Sequence, residues 1–151
     1  MNLNRIIKTV NYFYSQATEY DLASKMLERG EIITLTSPIT VSHRSSNLNL
    51  SKEDLDPLAI RETRQGKRKS SPMVGLYTYG PEDDVPRYGE NKIEIELPTG
   101  TTILDTTKIK ELFTSRISKS VADKLIDAGI DVIKGKDFIG PPEYIILKMP
   151  R

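Results

Sequence analysis

The stretch Pro142-Glu-Tyr-Ile-Ile-Leu147, near the end of the chain, decides the fold. A near-continuous apolar run follows Glu143 as far as Met149, and this pattern predicts a final β-strand. A glutamate that enters such an apolar strand directly after two prolines is unusual for a solvated strand start. The stretch therefore predicts a strand and also supplies the first candidate for a functional residue.

Further strands are predicted upstream of this stretch. The segment Ile32–Val41 places apolar residues among threonines on either side of Pro38, which indicates two extended pieces. The segment Lys92–Leu97 alternates isoleucine and leucine with charged residues, as half-buried strands do. Shorter extended segments are predicted at Val74–Tyr79, Thr102–Leu104 and Ile130–Ile133.

Helices precede and interrupt these strands. Residues 3–29 carry apolar side chains at helical spacing, and Gly30 is expected to stop the helix. Ser51-Lys-Glu-Asp54 resembles a capping box and predicts a short helix that runs through Leu58 and Ile60. Two more helices are predicted at Thr107–Phe113 and at Ser118–Ala128, the second closed by Gly129.

The order of these elements predicts an α+β fold. Strands do not alternate regularly with long helices, so a doubly wound parallel sheet is not expected. The length of 151 residues suits one domain, made of a helical N-terminal segment (1–30) and a β-rich core (31–151).

Composition excludes several kinds of site. The chain has no cysteine, which rules out disulfides, thiolate nucleophiles and cysteine-bound metals. His43 is the single histidine, so no multi-histidine metal site or pair of catalytic histidines can form. The net charge of +1 gives no global attraction to nucleic acid or membrane. We expect no signal peptide and no membrane-spanning segment.

Three segments together carry a resemblance to a known family. They are Thr40-Val-Ser-His-Arg-Ser-Ser46, a strand predicted to end at His43; Gly75-Leu-Tyr-Thr-Tyr79, followed by Arg87-Tyr88-Gly89; and the strand that opens with Glu143. In this order they resemble the His-Tyr-Glu branch of the ADP-ribosyltransferase superfamily. Diphtheria-type toxins and poly(ADP-ribose) polymerases share that branch.

The resemblance extends over roughly residues 39 to 149. Ile93–Asp105 looks like a run found in bacterial members, in which a strand is followed by Leu-Pro-x-Gly and then by Ile-Leu-Asp. Leu125–Val132 looks like the helix-to-strand step that precedes the glutamate strand of those members. Arg44 departs from the family, which usually has glycine there. The arginine-directed branch has Glu-x-Glu, whereas Pro141 stands two residues before Glu143.

The resemblance implies a split β-sandwich with an ADP-ribosyltransferase-like fold. The implied activity is that of a mono-ADP-ribosyltransferase, a bacterial or phage toxin or effector, that cleaves NAD⁺ at the nicotinamide–ribose bond and needs no metal. Its acceptor is a macromolecule, with protein favoured over nucleic acid. The protein is expected in the cytoplasm, either of the cell that makes it or of a target cell. Alternatives are an NAD⁺ glycohydrolase, a catalytically inactive binding module, or an unrelated α+β structural protein.

The resemblance also assigns roles to individual residues. Glu143 would stabilise the oxocarbenium-like state at the ribose C1′. Tyr77 and Tyr88 would stack on the cationic nicotinamide. His43, assisted by Ser45, would bind the adenosine ribose hydroxyls, and the main chain of Arg44 would hold the nicotinamide amide.

Each of these residues also has a purely structural interpretation. His43 could be a strand-end residue with a satisfied hydrogen bond, and Tyr88 could cap a turn. Because Tyr77 and Tyr79 alternate within a short strand, one is expected to face the core, and Tyr79 is assigned to packing. The basic run Arg61–Ser71 is interpreted as a mobile, solvated loop rather than a contact for phosphates or a macromolecule.

Overall fold

The computed structural model describes residues 22–58, 74–81, 83, 89–112, 117–136 and 141–149. Within these ranges seven strands form one sheet in the order β1-β5-β6-β7-β3-β2-β4. The strands are β1 (Glu31–Thr34), β2 (Ile39–Ser45), β3 (Leu76–Tyr79), β4 (Asn91–Leu97), β5 (Thr102–Asp105), β6 (Val132–Gly135) and β7 (Glu143–Ile146). Two α-helices accompany the sheet: α1, of which residues 22–29 are described, and α2 (Lys119–Asp127). The predicted α+β class is confirmed.

Strand β7 lies at the centre of the sheet, between β3 and β6, and pairs antiparallel with both. Successive side chains of a strand point to opposite faces of the sheet. Ile145 therefore packs into one apolar core and Ile146 into another, and both side chains are fully buried. This two-sided burial explains why the apolar run in the sequence does not alternate.

Helix α2 covers one face of the sheet. Val121, Ala122 and Leu125 recur at helical spacing and are buried against the sheet. The Ser118 hydroxyl accepts a hydrogen bond from the Val121 main-chain N–H and caps the first turn. Gly129, with φ +91°, follows the last turn in a conformation that favours glycine. The predicted helix is confirmed to within one residue at each end, and so is its closure by Gly129.

On the opposite face of the sheet, apolar side chains of β2 and β4 form one buried cluster with Ile146, and Leu55 packs into this cluster. In β4 the three apolar side chains Ile93, Ile95 and Leu97 are buried, while the charged residues between them are exposed. The predicted alternation in this strand is therefore confirmed. Val41, on β2, is directly opposite Ile95 and completes the apolar surface.

The capping box at Ser51 is present, but it begins only a short 3₁₀ helix (Lys52–Asp54). The Ser51 main-chain N–H donates to the Asp54 carboxylate at 2.9 Å, and this hydrogen bond lowers the pKa of Asp54. The predicted helix is interrupted at Leu55, which leaves the helical conformation at φ −99°, ψ 78°, whereas residues 57–58 are helical again. Ile60 lies outside the described residues.

The helix predicted from Thr107 onward is wrong, because residues 107–112 form successive turns. The Asp105 carboxylate accepts hydrogen bonds from both the main-chain N–H and the hydroxyl of Thr107. Such a local side-chain bond competes with helix formation. The Ile109 and Leu112 N–H groups then bond to carbonyls three residues earlier, which is turn geometry.

Several strand boundaries also differ from the prediction. β3 begins at Leu76 rather than Val74, β6 begins at Val132 rather than Ile130, and β7 ends at Ile146 rather than Met149. Just beyond the last pair of the β6–β7 ladder, the Leu147 main-chain N–H still bonds to the opposite Asp131 carbonyl. The predicted helix over residues 3–21 and the basic loop 61–71 lie outside the described residues. In the described part of the chain, no helix is long and apolar enough to cross a membrane.

Leu125→Ala should destabilise the fold by about 2–5 kcal/mol, because the truncation leaves a cavity in the core between α2 and the sheet. Urea denaturation followed by circular dichroism measures the free energy of unfolding. The matched control is Leu48→Ala at a side chain that is 69% exposed, where a change below about 0.5 kcal/mol is expected. Equal losses in the two variants would contradict the packing described here.

Candidate functional site

Three neighbouring strands carry the three residues on which the functional prediction depends. β2 carries His43, β3 carries Tyr77, and β7 opens with Glu143. The three strands are consecutive in the sheet, although they come from distant parts of the chain. The sheet therefore brings the three segments side by side.

Glu143 occupies the start of the central strand and is only 5% exposed. Its cross-strand neighbours are Tyr79 on β3 and Gly135 on β6. A carboxylate that is taken out of water at such a position costs free energy unless the surrounding groups stabilise it. The interpretation of Glu143 as a solvated strand start is therefore wrong for its side chain.

The two tyrosines of β3 lie on the same face of the sheet, because residues two apart in a strand share a face. The expectation that alternation separates Tyr77 from Tyr79 is therefore wrong. Tyr79 is buried, as assigned, and is directly opposite Glu143. Tyr77 is half-buried and opposite Ile145, which places it about 7 Å further along the strand.

His43 lies inside β2 rather than at its end, because the strand continues to Ser45 in register with β4. Its Nδ1 atom is 2.8 Å from the main-chain carbonyl oxygen of Tyr77. A carbonyl only accepts hydrogen bonds, so Nδ1 carries the proton and donates it. In the neutral ring Nε2 then carries a lone pair that can accept a hydrogen bond from a hydroxyl group.

The hydrogen bond from His43 spans a place where two strands separate. The described pairing of β2 with β3 consists of Ser42 opposite Tyr79, whereas β2 pairs with β4 along its whole length. Because Ser42 shares the face of Tyr79 and Glu143, the next residue, His43, belongs to the other face. A ligand that touches His43 and Glu143 together must therefore reach both faces of the sheet, and we call the place where β2 and β3 separate the opening between these strands.

Arg44 and Ser45 make contacts that shape the end of β2. The Arg44 guanidinium donates a hydrogen bond of 3.1 Å to the Gly89 carbonyl. The Ser45 hydroxyl accepts one of 3.0 Å from the Asn47 main-chain N–H. Tyr88, the expected partner of Tyr77 on the nicotinamide, lies outside the described residues.

Gly89 packs directly on the main chain of β2. Its φ is +137°, and a Cβ atom there would lie 2.2–2.5 Å from main-chain atoms of Ser45 and Ser46. Glycine is therefore required for two reasons, conformation and space.

The described residues contain no group of three or more histidine, aspartate and glutamate side chains arranged to hold a metal ion. The chain matches no family model, no curated protein and no solved structure to a significant degree.

Gly89→Ala should destabilise the fold more than Gly100→Ala does, by at least about 1 kcal/mol. Both glycines have positive φ, but a Cβ atom at Gly100 would meet nothing within 4 Å. The control therefore measures the conformational cost alone, about 1–2 kcal/mol. Denaturant unfolding gives both values, and equal losses would show that residue 89 does not pack against β2 as described.

Proposed function

We propose that this chain is a mono-ADP-ribosyltransferase of the His-Tyr-Glu type, which cleaves NAD⁺ and transfers ADP-ribose to a macromolecular target. One observation supports the proposal most. The three residues that the resemblance groups together lie on three consecutive strands, β2, β3 and β7, and His43 is hydrogen-bonded to Tyr77. These residues come from distant parts of the chain, and the pairing of the strands brings their segments side by side.

Glu143 has the environment that the proposed chemistry needs. Cleavage of the nicotinamide–ribose bond develops positive charge on the ribose, as at glycosidic centres. A carboxylate held in a buried position stabilises that charge more strongly than one in water does. In the transfer, the bond from nicotinamide nitrogen to C1′ breaks and neutral nicotinamide leaves. The acceptor atom then bonds to C1′ and loses its proton.

Tyr77 and His43 are proposed to hold the two ends of NAD⁺. The half-buried ring of Tyr77 would stack on the cationic nicotinamide on the face that it shares with Glu143. The Nε2 atom of His43 would accept a hydrogen bond from an adenosine ribose hydroxyl, assisted by Ser45. The dinucleotide would then run through the opening between β2 and β3, consistent with a split β-sandwich of the ADP-ribosyltransferase type.

The proposed acceptor is a protein of a target cell, and the proposed class is a bacterial or phage toxin or effector. Water is the alternative acceptor, in which case the chain is an NAD⁺ glycohydrolase. Both reactions release nicotinamide, so its release tests the shared first step. Labelled NAD⁺ incubated in cell lysate, with the label then traced to protein or to free ADP-ribose, separates the two acceptors.

Glu143→Gln should lower the rate of nicotinamide release from NAD⁺ by about 10²- to 10³-fold, because it removes the charge that stabilises the oxocarbenium-like state. The matched control is Glu96→Gln at an exposed residue of β4, which should retain the full rate. Chromatography measures nicotinamide, and circular dichroism confirms that both variants fold. The proposal fails if the wild-type protein, with and without lysate, never releases nicotinamide.

Tyr77→Phe should keep most of the rate, whereas Tyr77→Ala should lose about tenfold, because only the alanine variant removes the aromatic ring. The His43–Tyr77 hydrogen bond uses the main chain, so both variants retain its acceptor. Steady-state kinetics with NAD⁺ measures the effect. Equal losses in both variants would show that the hydroxyl, rather than stacking, is what matters.

Arg44 supports one further candidate, a catalytically inactive module that binds NAD⁺. The family usually has glycine at this position, whereas the Arg44 side chain here is tied to the Gly89 carbonyl. Calorimetry with NAD⁺ and with a non-hydrolysable analogue distinguishes the candidates. Equal binding of both ligands without release of nicotinamide would favour the module over the enzyme.

A further inference from the structure

An open cavity of about 580 Å³ lies between α1 and the turns that follow β5. Residues Leu22, Lys25, Met26 and Arg29 line it from the helix, since positions three and four apart share one helical face. The segment 108–112 lines the opposite wall. Its volume falls within the range typical of sites for small molecules.

Positive charge is concentrated in this cavity. Lys25, Arg29, Lys108 and Lys110 contribute four cations to the lining and Glu111 contributes one anion, a net formal charge of +3. The whole chain carries only +1. A concave surface lined by one sign of charge attracts the opposite sign strongly.

The cations occupy two facing walls, with apolar residues between them. Lys25 and Arg29 are one helical turn apart, which sets their Cβ atoms about 6 Å from each other. Lys108 and Lys110 stand on the facing wall. The partly buried apolar side chains Leu22 and Ile109 also line the cavity and pack against the helix-covered core, to which Met26 and Leu112 belong. This arrangement suits a ligand with two adjacent anionic groups and an uncharged body.

The cavity opens at the end of the sheet where Glu143 begins β7. The segment 106–112 follows the end of β5 directly. Lys136 follows the last residue of β6, Gly135, which is the cross-strand neighbour of Glu143. The Lys136 ammonium donates a hydrogen bond of 3.0 Å to the Lys110 carbonyl and so joins the residues that follow β5 and β6. β5 is two strands from β7, about 10 Å.

The order of strands separates this cavity from the opening between β2 and β3. In the sheet, β7 stands between β5 on one side and the pair β3 and β2 on the other. His43 therefore lies on one side of Glu143 and the basic cavity lies on the other. A ligand in the cavity occupies space that the proposed course of NAD⁺ along β3 and β2 does not use.

We propose that this cavity is a second ligand site, which binds a small molecule carrying a diphosphate group. Lys25 and Arg29 hold one phosphate and Lys108 and Lys110 the other, while the body of the ligand rests on the partly buried side chains of Leu22 and Ile109. A nucleic-acid strand fits less well, because the lining contains no aromatic side chain on which bases could stack. This site does not depend on the proposed transferase activity.

Isothermal titration calorimetry with ADP, and competition by inorganic pyrophosphate, tests the site on the full chain. We expect saturable ADP binding that pyrophosphate displaces and that added salt weakens. The double variants Lys25→Glu/Arg29→Glu and Lys108→Glu/Lys110→Glu should each weaken ADP binding by at least about tenfold. The matched control is Lys52→Glu/Lys92→Glu, with the same charge change at exposed positions outside the cavity, and it should bind ADP normally.

The outcomes separate this site from the proposed NAD⁺ site. His43→Ala should leave ADP binding unchanged, and loss of binding in that variant alone would place ADP at the opening between β2 and β3 and overturn the proposal. Absence of ADP binding, or equal weakening in the control variant, would overturn it too. Affinity for single-stranded oligonucleotides that exceeds the affinity for ADP and grows with length would assign the cavity to nucleic acid instead. Failure of nicotinamide release would leave this proposal standing.

Discussion

The burial of one strand on both faces is the constraint on which the remaining structure depends. Ile145 and Ile146 of β7 point to opposite faces and are both fully buried, so each face of the sheet must be covered. The helices α1 and α2 cover one face, while on the other face Ile146 lies in a buried cluster with side chains of β2, β4 and Leu55. Removal of either cover would expose part of the central strand to water, at roughly 25 cal/mol per Å² of apolar surface.

The same strand carries an ionisable side chain into a buried position. Glu143 stands at its first position, where a buried carboxylate is costly and needs support from its surroundings. Beside it, β3 leaves β2 after a single described pair, and the His43 ring reaches the Tyr77 carbonyl across the separation. An unusual carboxylate and an interrupted ladder thus occur on neighbouring strands. Functional sites tolerate such local costs because binding or catalysis requires them.

Charged residues are arranged in two different ways in this nearly neutral chain. The charged residues of β4 alternate with buried ones and face the solvent, so they carry no common potential. In the cavity beside α1, cations from two separate segments face each other. The sequence did not single them out, since Lys25 and Arg29 look like ordinary helix residues and Lys108 and Lys110 were predicted to lie on a helix. In the structure these two lysines lie instead on the turns that follow β5, where Asp105 bonds to Thr107.

Local pattern by itself determined the strands β3 and β4, the helix α2 with its closing Gly129, and the α+β class, because these depend on the spacing of apolar residues and on helix-stop signals. The grouping of Glu143 with Tyr77 came from the resemblance and stays a prediction. Tertiary structure alone decided the order of strands, the place of His43 inside β2 and the opposite faces of His43 and Glu143. Register and pairing are set by contacts between distant segments, and no local spacing records them.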